Sequence, residues 1–221
     1  MSQEIKTICG ALPLKLGQVN CYWVKTASGF ILVDTGSSNQ RAMIEKELLS
    51  AGCKPGDLTL ILITHGDFDH TGNAAYLRQK FGAKIAMHRD DAAMLERGDM
   101  FSSRKKGNPV LRWMAPRMFG FGSAEQCAPD MLIEDGMSLA EYGWDAKIVS
   151  IPGHSGGSIG ILTAEGDLLC GDLFENVKQP AFNSIMDDLE IARISFQRLK
   201  KLGVRTVYPG HGQPFLLEAL A

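Results

Sequence analysis

The chain has 221 residues, 45% apolar and 22% charged, which excludes disorder, collagen and coiled coil and suits one sizeable core or two small ones. Its 23 basic residues nearly balance 25 acidic ones, so no overall field favours nucleic acid or an anionic membrane, and a charged partner has to meet a local patch. Apolar runs such as residues 58–63 fall far short of the roughly 20 residues a membrane helix needs. The start, MSQEIKTICG, holds no long apolar signal segment, so a cytoplasmic protein with no membrane partner is expected.

Residues 19–24 and 30–33 are short runs rich in β-branched and aromatic side chains, separated by the Ser28-Gly29 turn, and predict a β meander. Asp34-Thr35-Gly36-Ser37-Ser38 breaks that pattern. Ala42, Ile44, Leu48 and Leu49 then fall near helical spacing until Gly52 stops the segment. Residues 58–63 form the continuous apolar run of a strand buried on both faces, leading straight into Thr64-His65-Gly66-Asp67-Phe68-Asp69-His70. The spacing predicts a helix over 70–81 ending at Gly82, a strand over 84–87 and a helix over 90–97, a βαβα order with a partly parallel sheet.

Residues 98–130 change character, with Pro109, Pro116 and Pro129 among Phe101, Trp113, Phe119, Phe121, Met100, Met114 and Met118. This stretch reads as a lid or cap inserted in a single domain spanning 1–221. Arg97, Arg104, Lys105, Lys106, Arg112 and Arg117 face one acid, Asp99, a composition that suits an anionic ligand with an apolar part. A satellite core or homodimer contact, with the charges in water, explains the same residues. Beyond it come strands over 146–151, 159–163 and 168–170, an amphipathic helix over 189–202, a last buried strand over 204–208 and a Leu-rich tail. A coarse echo links the halves. Ile31-Leu32-Val33-Asp34 and Leu168-Leu169-Cys170-Gly171-Asp172 each end a strand in Asp, and His65 and His211 follow later buried strands.

Four of the five histidines, His65, His70, His154 and His211, stand in turn-like sequences after apolar runs, and Asp172 follows a strand in the same way. A lone histidine of this kind is more often a hydrogen-bonded core or surface residue, but several at strand ends point to a ligand set. Imidazole and carboxylate together suit zinc, iron or manganese. In an extended loop His65, Asp67 and Asp69 alternate to one side while His70 enters the helix, so two adjacent metals could share the loop. Cys9, Cys21, Cys53, Cys127 and Cys170 are scattered without C-x-x-C spacing, which predicts neither disulfides nor a cysteine zinc site. His88 reads either as a helix-start residue or as a substrate contact.

LVDTG, THGDFDH, PGH, GD and PGHG, in this order, resemble the metallo-β-lactamase fold superfamily over nearly the full chain. The resemblance implies an α/β, four-layer αβ/βα sandwich of two mixed β-sheets flanked by helices, with two divalent metal ions where the sheet edges meet. It implies a first metal held by His65, Asp67 and His154, a second by Asp69, His70 and His211, and Asp172 as the bridging carboxylate. Asp34 would support the metal loop from behind. The usual motif is H-x-H-x-D-H, and here its second histidine is Asp67. A carboxylate there shifts preference from zinc toward iron or manganese, or ligates zinc, or points away.

The resemblance further implies a hydrolase in which a metal-bound hydroxide attacks a small ester, thioester, lactone or phosphoester, with Asp69 orienting that hydroxide or accepting its proton. The alternative is a diiron redox protein acting on oxygen or nitric oxide with a separate electron donor. These 221 residues show no counterpart of the helical domain by which glyoxalase II enzymes bind glutathione, so small acyl or lactone substrates are expected.

Overall fold

Side-chain alternation along the strands decides which layer each residue joins. In the computed structural model, residues 3–12, 17–104 and 122–220 are described. The first half runs β1 (Ile5–Ala11), β2 (Gln18–Thr26), β3 (Gly29–Val33), α1 (Arg41–Ser50), β4 (Leu58–Leu62), α2 (Phe68–Thr71), α3 (Ala74–Phe81), β5 (Lys84–His88), α4 (Arg89–Arg97) and β6 (Met131–Ile133). The second runs β7 (Ala146–Ser150), β8 (Ile159–Thr163), β9 (Asp167–Asn176), β10 (Ala181–Phe182), α5 (Leu189–Lys201), β11 (Thr206–Gly212) and β12 (Phe215–Leu216). One sheet has the order β1-β2-β3-β4-β5-β6; the other has β12-β11-β9-β8-β7, with β10 paired to β9.

Both sheets are mixed, and the halves share a plan. β1, β2 and β3 pair antiparallel before α1 crosses to the parallel β4, and β7, β8 and β9 pair antiparallel before α5 crosses to the parallel β11. Asp34 at the end of β3 therefore corresponds to Asp172 in β9, and His65 after β4 to His211 in β11, which is the echo read in the sequence.

Ile31 and Val33 of β3 and Leu60 and Leu62 of β4 face the second sheet, where they pack with Ile148, Ile159, Ile161 and Leu169. Their neighbours Phe30, Leu32, Ile61 and Ile63 face the helices and meet Ile44, Leu48, Leu77 and Phe81. Both faces of β4 are dry, hence its unbroken apolar sequence. On the far side Leu162, Leu168 and Cys170 pack on Ala192, Phe196 and Leu199 of α5, completing the helix, sheet, sheet, helix stack. Truncating one such side chain, as in Leu62→Ala, costs about 2–5 kcal/mol.

Several boundaries differ from expectation. The helix expected over 70–81 is two pieces, because Gly72 and Asn73 turn aside to bond the β3–α1 loop: Gly72 N donates to Gly36 O at 2.9 Å, and Asn73 Nδ2 to Thr35 O and Ser37 O at 2.7 and 2.8 Å. Helix begins earlier, at Phe68, which puts Asp69 and His70 in its first turn. β9 and β11 run past their expected ends, since parallel pairing resumes at His211 with Glu175 and Gly212 with Asn176 after irregularities at Pro209. β1, β6, β10 and β12 were not read from the sequence. Residues 105–121, most of the expected insert with Lys105, Lys106, Arg112 and Arg117, lie outside the described residues. All five cysteines are free. Among the described residues no helix is long and apolar enough to cross a membrane.

Candidate metal centre

The loops leaving β3, β4 and β7 and the later parts of β9 and β11 bring the histidines and aspartates together. Asp34 organises them. It holds a left-handed backbone, φ 60°, the one non-glycine residue with positive φ among the described residues. From there its carboxylate accepts hydrogen bonds from Thr64 N, Thr64 Oγ1 and His70 Nδ1, each at 2.8 Å. Because Thr64 Oγ1 donates to Asp34, it accepts from His65 Nδ1 at 3.0 Å. His154 Nδ1 donates to Ile185 O and His211 Nδ1 to Gln18 O, both at 2.6 Å. Every one of these rings thus commits Nδ1–H to the protein and turns Nε2 toward the centre, the arrangement a metal-ligating imidazole takes.

One ligand atom each from His65, His154 and Asp172 lie within 4.8 Å of one another, and so do one each from Asp69, His70 and His211. Asp172 adjoins both groups: its Oδ1 is 3.3 Å from His70 Nε2, and its Oδ2 is 3.2 Å from His211 Nε2. Asp69 Oδ2 is 3.4 Å from His211 Nε2. Asp67 Oδ2 lies 3.1 Å from His154 Nε2 and 3.8 Å from His65 Nε2. Among the described residues, His65 Nε2, His70 Nε2 and Asp172 Oδ1 are buried without a well-aligned hydrogen bond, a costly state for polar atoms that a divalent cation would relieve. Geometry and donor chemistry therefore fit divalent metal ions.

The charges respond to this crowding. Burial, with His70 and His154 beside it, holds His65 well below the ordinary histidine range. Burial also presses on His70 and His211, but Asp172 and neighbouring carboxylates overcome it, raising His70 well above its usual value and His211 to about 11. For Asp172, burial is outweighed by His211 and His70, which keep its carboxylate ionised far into acid. Burial of Asp67 is likewise outweighed by Arg104 and the histidines.

Four features of the site were not read from the sequence. Arg104, named there only as part of a basic insert, places Nη2 2.9 Å from Asp67 Oδ1 and 3.1 Å from His154 Nε2. Asp91, 1% exposed, accepts from Gly66 N, Gly157 N and Ser155 Oγ at 3.1, 2.9 and 2.6 Å, tying the THGDFDH loop to the loop that carries His154. Asn183 Nδ2 donates to Asp172 Oδ2 at 3.1 Å. Gly210 lets β11 approach β9, since any side chain there would run into Asp172 Oδ1 and His70 Cε1. His88, by contrast, accepts from Asp90 N at 3.3 Å and caps α4. Beside His154 a cavity of about 230 Å³ is lined by Gly153, Ser155, Asp187, Asp188 and Ile191 among others.

Residues 14–211 match the profile of the metallo-beta-lactamase superfamily. The chain belongs to that superfamily. Within it, a probable metallo-hydrolase of Methanocaldococcus jannaschii is 27% identical over 189 residues, covering 83% of this chain and 82% of the relative. The hydroxyacylglutathione hydrolase GloC of Haemophilus influenzae is 27% identical over 157 residues, and this chain spans only 65% of its length. Among solved superfamily structures, TTHA1623 in a di-iron-bound form superposes with a TM-score of 0.73 at 25% identity, over 97% of this chain and 96% of that one.

Proposed function

We propose that the chain is a dinuclear metal-dependent hydrolase acting on a small ester, thioester, lactone or phosphoester. The observation that carries this reading is the shared orientation of His65, His70, His154 and His211, each with Nδ1 tied to the protein and Nε2 turned inward. His65, Asp67 and His154 would hold one ion, Asp69, His70 and His211 the other, with Asp172 between them. When bound, such a pair supplies Lewis-acid chemistry, lowering the pKa of water and polarising the scissile group.

The chain does the rest. Asp69, buried and held in the first turn of α2, orients the attacking water and takes its proton at a carboxylate oxygen. Asp34 keeps His70, and through Thr64 also His65, in one tautomer. Asn183 fixes the Asp172 carboxylate. The likeness to a hydrolase of hydroxyacylglutathione supports the acyl side of the substrate range.

Zinc is favoured by four imidazoles. A second reading, iron at the same residues and with it redox chemistry on oxygen or nitric oxide fed by a separate electron donor, is favoured by the Asp67 carboxylate and by the di-iron form of TTHA1623. The test is turnover of nitrophenyl ester, thioester, lactone and phosphodiester panels by protein reconstituted with zinc or iron. Hydrolysis that a chelator abolishes and added metal restores is expected. Fully metal-loaded protein inert on every panel would refute the hydrolase, and oxygen consumption by the iron form with a reductant would support the redox reading.

A further inference from the structure

We propose that Arg104 is a built-in cation competing with metal at the His65, Asp67 and His154 position, so that the chain takes up its two ions with unequal affinity. This inference rests on the metal reading above and concerns the regulation of that same site.

Arg104 Nη2 sits 2.9 and 3.1 Å from the two Asp67 oxygens and 3.1 Å from His154 Nε2, and Nε is 3.6 Å from Asp187 Oδ1. Its side chain is 4% exposed, so the charge is buried among these groups. His154 has one lone pair to offer, because Nδ1–H is committed to Ile185 O. Nη2 carries only hydrogens, so its contact with Nε2 uses the ring's lone pair. A metal ion at His154 needs that same lone pair and that same carboxylate. Two cations cannot share them, and the guanidinium has to leave before the ion is held.

Among the described residues the other metal position has no such competitor, since Asp69 and Asp172 form their ion pairs there with histidines alone. The pairing also accounts for Asp67, which departs from the family motif: a histidine at that position would offer a guanidinium no charge, whereas a buried carboxylate pairs with it through Nη2. Asp187, partly exposed at the edge of the cavity, holds the guanidinium from its other side at 3.6 Å.

The test is calorimetric titration of metal-free, full-length protein with zinc, comparing the parent with Arg104→Met and Arg104→Lys. Two binding events are expected in the parent. In Arg104→Met the weaker event tightens by about tenfold or more, the scale on which neighbouring groups move metal affinity, while the stronger is unchanged. Arg104→Lys falls between, and adding His154→Ala to Arg104→Met removes the tightened event. Metal-free Arg104→Met also melts below the parent, because Asp67 is left without its counter-charge, and regains more on saturation with zinc. Should Arg104→Met not fold, Asp187→Asn, which weakens the hold on the guanidinium from one side only, reports the same change in the weaker event. A weaker event equal to or weaker than the parent's in Arg104→Met overturns the proposal and leaves the hydrolase standing. No zinc uptake by any protein overturns both.

Discussion

Asp34 Oδ2 lies 2.8 Å from His70 Nδ1, so a residue at the end of β3 decides which nitrogen of a histidine in α2 faces the centre. The same carboxylate holds Thr64 by backbone and side chain. Asp34→Ala leaves three buried donors without an acceptor and is expected to cost about 3–5 kcal/mol of stability. Metal affinity should drop by about 10–100-fold. Asp34→Asn separates the two effects. Its amide restores an acceptor for Thr64 N, but an Nδ2 facing His70 drives the ring to the tautomer with Nε2–H, so stability recovers more than metal binding. Calorimetric melting and a zinc competition assay read both; unchanged melting and affinity in Asp34→Ala would refute the role.

Asp91 bonds two loops that each carry a candidate ligand. Removing its carboxylate in Asp91→Ala strands Gly66 N and Gly157 N, at about 1–3 kcal/mol each when buried, while Ser155 Oγ keeps Ser158 Oγ as a partner. The expected outcome is a lower melting temperature with faster hydrogen exchange at the Gly66 and Gly157 amides. Amide protection equal to the parent's would show that the loops hold their places without it.

Metal uptake should strengthen as pH rises. Despite burial, Asp172 and nearby carboxylates raise His211 to about 11 and hold His70 well above its usual value, so a proton occupies what a metal would take. For a histidine raised on folding, the stabilisation is complete below the unfolded value of about 6.5 and is lost as pH climbs through the folded one. Metal-free protein therefore loses stability over the range from about 6.5 toward about 11, where His211 titrates. Zinc affinity gains about one decade per pH unit for each proton displaced. Chelator competition at several pH values checks the slope, and an affinity flat or falling with pH is the contrary result.

The β4 strand and its THGDFDH loop are plain in the sequence, because burial of both strand faces leaves an unbroken apolar run that stops where polar chemistry begins. The pairing of the halves is visible at Asp34 and Asp172 for a similar reason: each stands where a strand's apolar alternation ends. The layered sandwich itself was legible only through the resemblance to a family. Arg104 was not legible as a site residue, since one arginine among several in a basic stretch carries no periodicity, and its contacts lie 37 and 50 positions away. Asp91 was hidden because an acid in the first turn of α4 reads as a partner of the helix dipole. The break at Gly72 escaped because its cause is a set of long-range bonds to the β3–α1 loop, which no local pattern reports.

Two ions held by His65, Asp67 and His154 and by Asp69, His70 and His211, with Asp172 between them, are tested most directly by elemental mass spectrometry of untagged protein reconstituted with excess zinc, iron and manganese, beside His154→Ala, His211→Ala and Asp67→His. About two ions per chain are expected in the parent, about one in either alanine variant, and a shift toward zinc in Asp67→His. A parent with no metal above the level in the buffer, or alanine variants that load as fully as the parent, would contradict that assignment.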